Sequence, residues 1–181
     1  MSSLLRNNDM NTEESKLQFY WQNGLLPKLE LATAIALRTG GECGRLYLPL
    51  PQGSPGVVIT VQVSSTTSHV RLDVIPGEPV PGVPDIRKYI TRQEDIDDAA
   101  AIIAELKRFD VATLSDCVAG VEAFDGYLGI HVLATADMEH CFSIRNPHRQ
   151  TDLRYREVMN VYTRRFLGGC LVFLADSVQM Q

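Results

Sequence analysis

Three arginines near the end of the chain, Arg149, Arg156 and Arg164, come closest by type and spacing to a chemical site. On a helical wheel they fall near one face with Asn160 between them, opposite an apolar stripe, and guanidinium groups so placed could hold an anion or an acidic peptide. With His148 they would serve an anion-binding enzyme, yet no nucleophile or general base stands at a diagnostic spacing. A solvated helix face, or pairing with the chain's own acidic residues, is the plainer reading. Asp95, Asp97 and Asp98 resemble part of a calcium loop, but the loop's glycine and terminal glutamate are missing. They read instead as negative charge at a helix start. His140 and Cys141 are adjacent in a strand pattern and point to opposite faces, so they do not share an ion, and His131 has no visible partner. No catalytic residue, metal site or cofactor is expected.

Charge is the least uniform property of the chain. From Gln93 to Asp125 there are nine acidic and two basic residues, and from Phe142 to Phe166 six arginines and two acids. The net charge of −5 argues against a general nucleic-acid binder. Cys43, Cys117, Cys141 and Cys170 are widely spaced without a CxxC pair, which favours free thiols in a reducing compartment over two disulfides. Neither a signal peptide nor a stretch of 18 apolar residues is visible, so no membrane span is expected. Residues 1–11 are polar and read as a flexible N-terminus, with a single α+β domain over residues 12–181.

These side chains must be positioned by an antiparallel sheet built around Arg45 to Ile75. Leu46, Leu48 and Leu50 share one face of a first strand, Val57, Ile59, Val61 and Val63 one face of a second, and Val70, Leu72 and Val74 one face of a third. Tyr47, Val58, Thr60, Gln62, Arg71 and Asp73 fall on the opposite face, which reads as partly solvated or open to a partner. A helix is expected from Thr12 with Leu17, Tyr20 and Trp21 as its stripe, interrupted at Asn23 to Pro27 and resuming from Lys28 through Leu29, Ala32, Ile35 and Ala36. Pro76 to Pro84 reads as a stiff connector. Thr91-Arg-Gln-Glu94 has the form of a capping box, so a second helix is expected there, buried through Ile96, Ala99, Ala100, Ile103 and Leu106. Another amphipathic stretch follows through Leu114, Cys117, Val118 and Val121.

Tyr127–Ala134 and His140–Arg145 read as a second hairpin. Pairing Ala134 with His140 would gather Ile130, Val132, Phe142 and Ile144 on one face, and a one-residue slip would split them, so the register stays open. Asn146-Pro147 suits the start of a third helix with Tyr155, Val158, Met159, Tyr162 and Phe166 as its stripe. Gly168-Gly169 would end it, and Cys170–Ala175 has the composition of a buried strand. The expected fold is therefore α+β, in the order α-β-β-β-α-β-β-α plus a C-terminal strand.

That order resembles the effector chaperones of bacterial type III secretion over about Thr12 to Leu167. Leu29–Leu37 is similar to the family's first helix, Cys43–Leu48 to its first strand and Val70–Ile75 to its third. The resemblance implies a non-catalytic, cytoplasmic bacterial homodimer that holds the extended N-terminal segment of a secreted effector for export. It implies strand addition at a sheet edge and apolar contacts at Leu31, Ile35, Tyr47, Val58 and Thr60. A dimer interface through Ile102 and Ile103 would follow from the same family pattern. The chain departs from that pattern in its length, its proline-rich connector and its last strand, which would compete for a sheet edge. Two other readings remain: an inhibitor or immunity-type protein whose acidic Gln93–Asp125 region meets a folded partner, and the anion-binding enzyme based on the arginines.

Overall fold

The computed structural model describes residues 12–22, 31–38, 40–48, 56–75, 90–95, 98–116 and 128–164. Strands β1 (Gly41–Leu48), β2 (Gly56–Ser64), β3 (Ser68–Ile75), β4 (Ile90–Asp95), β5 (Leu128–Ala134) and β6 (Glu139–Arg145) form one antiparallel sheet. Their order is β4-β3-β2-β1-β5-β6, with β1 pairing on both sides. Helices α1 (Glu13–Gln22) and α2 (Ala34–Leu37) precede β1, α3 (Ala99–Arg108) follows β4, and α4 (Arg154–Tyr162) follows β6. The fold is α+β, and the order of elements is close to the expected one, with β4 as an added strand.

Alternation in the first three strands builds the sheet as expected. Leu46 stands opposite Ile59, which stands opposite Leu72. Their face continues through Leu133, Phe142 and Ile144 and packs against Ile102, Ile103 and Leu106 of α3 and Tyr155, Val158 and Tyr162 of α4. Each such buried aliphatic side chain stabilises the fold by about 1.5–3 kcal/mol.

The opposite face is also covered, which corrects the expectation of an open surface at Tyr47, Val58 and Thr60. These are 1%, 0% and 1% exposed. Cys43, Tyr47, Val58, Ile130, Val132 and Cys141 form a second core with Tyr20 of α1 and Ala34 of α2, flanked by half-buried Leu17, Leu31 and Leu37. Two-sided burial also settles the hairpin register. Ala134 pairs with Glu139, so Ile130 and Val132 share the second face with Cys141, whereas Phe142 and Ile144 join the first. The split apolar set has a core on each side to enter.

Three helix boundaries differ from the sequence-based expectation. Thr91–Glu94 does not cap a helix: it lies in β4, with Thr91 opposite Asp73 and Glu94 opposite Val70. Pairing with β3 satisfies backbone groups that a local capping box would otherwise serve. Helix α3 begins only at Ala99, and the Asp98 side chain makes no capping bond.

Of the helix expected over Leu29–Leu37, the described residues from Leu31 on keep a single turn in α2, because the backbone just ahead of it is committed elsewhere. The Ala32 carbonyl accepts from Arg45, and Thr33 caps the turn by accepting from the Ala36 amide at 3.3 Å. The helix expected from Pro147 is a 3-10 turn, Pro147–Arg149, entered through left-handed Asn146 (φ 48°). Helix α4 starts at Arg154, whose amide is held by Asp152 Oδ1 at 3.0 Å.

The expected features at residues 1–11, 23–30, 76–84, 117–127 and 165–181 lie outside the described residues. These include the proline-rich connector, Cys117 to Val121 and the strand Cys170–Ala175.

Close backbone approach fixes Gly41 at the start of β1. A Cβ there would lie 1.8 Å from the Val63 carbonyl oxygen and 2.6 Å from Ser64 Cα. Gly41→Ala must therefore push β1 and β2 apart at that end, at a cost of about 2–3 kcal/mol. A fall in the urea midpoint with little change in slope would register this loss.

Candidate functional site

Arg45 points from the central strand into the second face and is only 2% exposed. A buried guanidinium requires a counter-charge and acceptors for its donors. Glu13, at the first turn of α1 and 0% exposed, supplies the charge: its Oε1 accepts from Arg45 Nη1 at 2.9 Å and from the Tyr47 hydroxyl. The other carboxylate oxygen accepts from the Ala34 amide, tying α1 to α2. Arg45 Nε donates to Thr60 Oγ1 at 2.9 Å, and Nη1 also reaches the Ala32 carbonyl at 2.6 Å and Tyr47 Oη at 3.0 Å. Burial alone would lower the Arg45 pKa, but its interactions with Tyr47 and the Glu13 carboxylate more than reverse this, and the guanidinium stays protonated. Burial, then Glu13, pushes the Tyr47 phenol up, so it remains a donor.

A second ionic clasp holds the same face of α1 one turn further on. Lys16, 2% exposed, pairs with Asp116. Asp116 Oδ1 also accepts from the Ser143 amide at 2.8 Å and the Ser143 hydroxyl at 2.9 Å. Burial raises the Asp116 pKa, but bonds from Lys16 and Ser143 more than reverse this, leaving its carboxyl below the usual range. The segment 114–116 thus runs beside β6, with His140 Nε2 bonded to the Leu114 carbonyl at 2.8 Å and Tyr155 Oη donating to that of Ser115 at 2.6 Å. The outward amide of Ser143, which another strand would need, is already occupied.

On the first face His131 is completely buried and its Nε2 meets the Tyr162 hydroxyl at 3.0 Å. Its Nδ1 has no hydrogen-bond partner. Burial pushes the imidazole down to about 3, with a smaller contribution from His140, so the ring is neutral at ordinary pH. His131 and Phe142 rings lie 5.1 Å apart, and Tyr162 packs edge-on to His131 at 5.6 Å. This is an aromatic core feature, not a ligand set.

The residues expected to bind partners are thus separated. Tyr47, Val58 and Thr60 are covered, whereas Ile35 is 39% exposed and Leu31 is half-buried. Ile35 lines a surface hollow of about 390 Å³ with Arg38, Gly40, Gly41 and Ala136. Ile102 and Ile103, the expected dimer contacts, are 0% and 1% exposed inside the chain's own core; both are needed because α3 packs on β2, β1 and β3.

The arginines do not form one clamp. Arg149 is on the separate 3-10 turn, while Arg156 and Arg164 approach Glu157 at 3.2 and 3.8 Å. Glu157, Asn160 and Arg164 line a hollow of about 230 Å³ with Glu105 and Val161, where the carboxylates offset the arginine charge. Among the described residues no group of three or more His, Cys, Asp and Glu side chains is placed to hold a metal ion.

Sequence reasoning missed the Glu13–Arg45 and Lys16–Asp116 clasps. Arg45 carried a usable signal, since it is a lone cation in an apolar strand on the same face as Tyr47. Glu13 carried none, because an acid in a first helical turn is already explained by the helix dipole. No helix among the described residues is long and apolar enough to cross a membrane. Comparison with protein-family models, curated proteins and solved structures gave no match to the chain.

Proposed function

We propose that this chain is a non-catalytic binding protein, of the kind a secretion chaperone represents, which holds an extended segment of another polypeptide. The contrast between the two ends of its sheet carries this reading. At β6 the outward Ser143 amide is taken by Asp116, whereas β4 is the last strand at the other end among the described residues. An extended segment pairing with β4 would gain main-chain hydrogen bonds without displacing that lock. The partly exposed Leu31 and Ile35 beside their hollow offer a second, apolar contact for the same class of partner.

Any homodimer would need a surface other than Ile102 and Ile103, since both serve the core. The anion-binding alternative is weakened by the sharing of Glu157 between Arg156 and Arg164.

Affinity capture followed by mass spectrometry and mapping of the protected partner segment tests the proposal. Amides alternate in direction along an edge strand, so of Arg92→Pro and Gln93→Pro one removes an amide facing β3 and the other an outward one. The outward-facing variant should retain its unfolding midpoint and lose the partner segment. Capture of a folded domain that persists in both proline variants would refute strand addition.

A further inference from the structure

The two faces of the sheet are closed by different physical means. On the first, α3 buries Ala99, Ile102, Ile103 and Leu106, a wholly apolar contact. On the second, the buried residues of α1 are Glu13, Lys16 and Tyr20, while Phe19 and Trp21 are 44% and 47% exposed. Two of those three buried groups are charged, and a buried ion pair roughly cancels its own desolvation cost. Both ten-residue helices are too short to be stable alone in water, so each depends on these contacts. The contacts holding α1 therefore select its position without giving the margin that α3 enjoys.

Beneath α1 and α2 lies a mainly apolar surface, Cys43, Tyr47, Val58, Ile130, Val132 and Cys141, beside the buried cation Arg45. We propose that α1 is a displaceable strap over this surface, and that its replacement is a partner segment of matching chemistry: a carboxylate for Arg45, followed at helical spacing by apolar side chains where Leu17 and Tyr20 stand. Charge complementarity at Arg45 selects that occupant, because a segment that covers this face in place of α1 buries the guanidinium again and must bring an anion to satisfy it. The occupant rests on the binding function proposed above; the opening of α1 does not, and it is measured without any partner.

Thiol labelling reads the opening, since Cys141 lies on the covered face of β6 and its pKa is raised chiefly by burial. With the full chain, maleimide labelling located by mass spectrometry should modify Cys141 faster than global unfolding permits, with little dependence on added urea. Glu13→Gln should accelerate it at least tenfold. Hydrogen exchange of the unaltered chain provides a second reading that does not depend on the fold of that variant: α1 amides should exchange independently of urea, while α3 amides follow global unfolding. Labelling and α1 exchange that both track global unfolding would overturn the strap.

A synthetic peptide of residues 12–22, added at about 1 mM to match the effective concentration of a tethered segment, should slow Cys141 labelling in Glu13→Gln. The same peptide with glutamine at the Glu13 position should not. Equal protection by both peptides, or by neither, would overturn the proposed partner chemistry while leaving the strand-addition test at β4 unaffected.

Discussion

Replacing Arg45 by methionine is expected to destabilise the protein by about 3–5 kcal/mol, the usual cost of removing one member of a buried ion pair. The substitution leaves the Glu13 carboxylate at 0% exposure, facing Tyr47 and the Ala34 amide without its cation. Undocking α1 returns Glu13 to water, so the free energy of undocking caps the loss. Glu13→Leu alone should also be costly, stranding the guanidinium. The double variant should lose less than the sum of the two, because an apolar pair can replace a buried ionic one at little net cost. Denaturant titration of the four proteins gives the coupling energy directly. Additive losses would mean that the two side chains stabilise the fold independently.

Acid should destabilise the protein well before its carboxylates titrate. His131 is held down to about 3 in the fold, whereas an exposed histidine titrates near 6.5. Between those values the unfolded chain binds a proton that the folded chain refuses, so stability falls with pH. The slope is about 1.4 kcal/mol per pH unit, or about 2 kcal/mol by pH 5. Asp116 contributes in the same direction only lower, as pH falls from its ordinary value of 3.8 through its depressed one. Urea titrations at pH 7, 6 and 5 should therefore show a decline that His131→Gln largely removes, since glutamine cannot titrate and retains a polar group for the Tyr162 hydroxyl. An unchanged decline would place the acid sensitivity elsewhere.

The first sheet face was legible because Leu46, Ile59 and Leu72 obey a period of two and meet in register. The second was not, because Tyr47, Val58 and Thr60 look like a half-wet surface unless the partner of Arg45 is known. That partner, Glu13, lies 32 residues earlier, and no local pattern joins them. The same limit explains the error at Thr91–Glu94: a capping box is local, and the pairing of β4 with β3 is not. The register of β5 and β6 was ambiguous for the opposite reason, since both of its faces turned out to be interior. The arginine face failed where a helical wheel was extended through Gln150, whose extended backbone (ψ 144°) separates Arg149 from α4.

The Ser143–Asp116 lock also constrains what the protein can become in concentrated solution. A filament built by strand pairing needs two free edges per molecule, so that each copy presents one and receives another. With the Ser143 amide of β6 engaged, β4 is the sheet edge left for pairing among the described residues. Pairing of β4 with the β4 of a second copy would be antiparallel and symmetric, and would consume both edges at once.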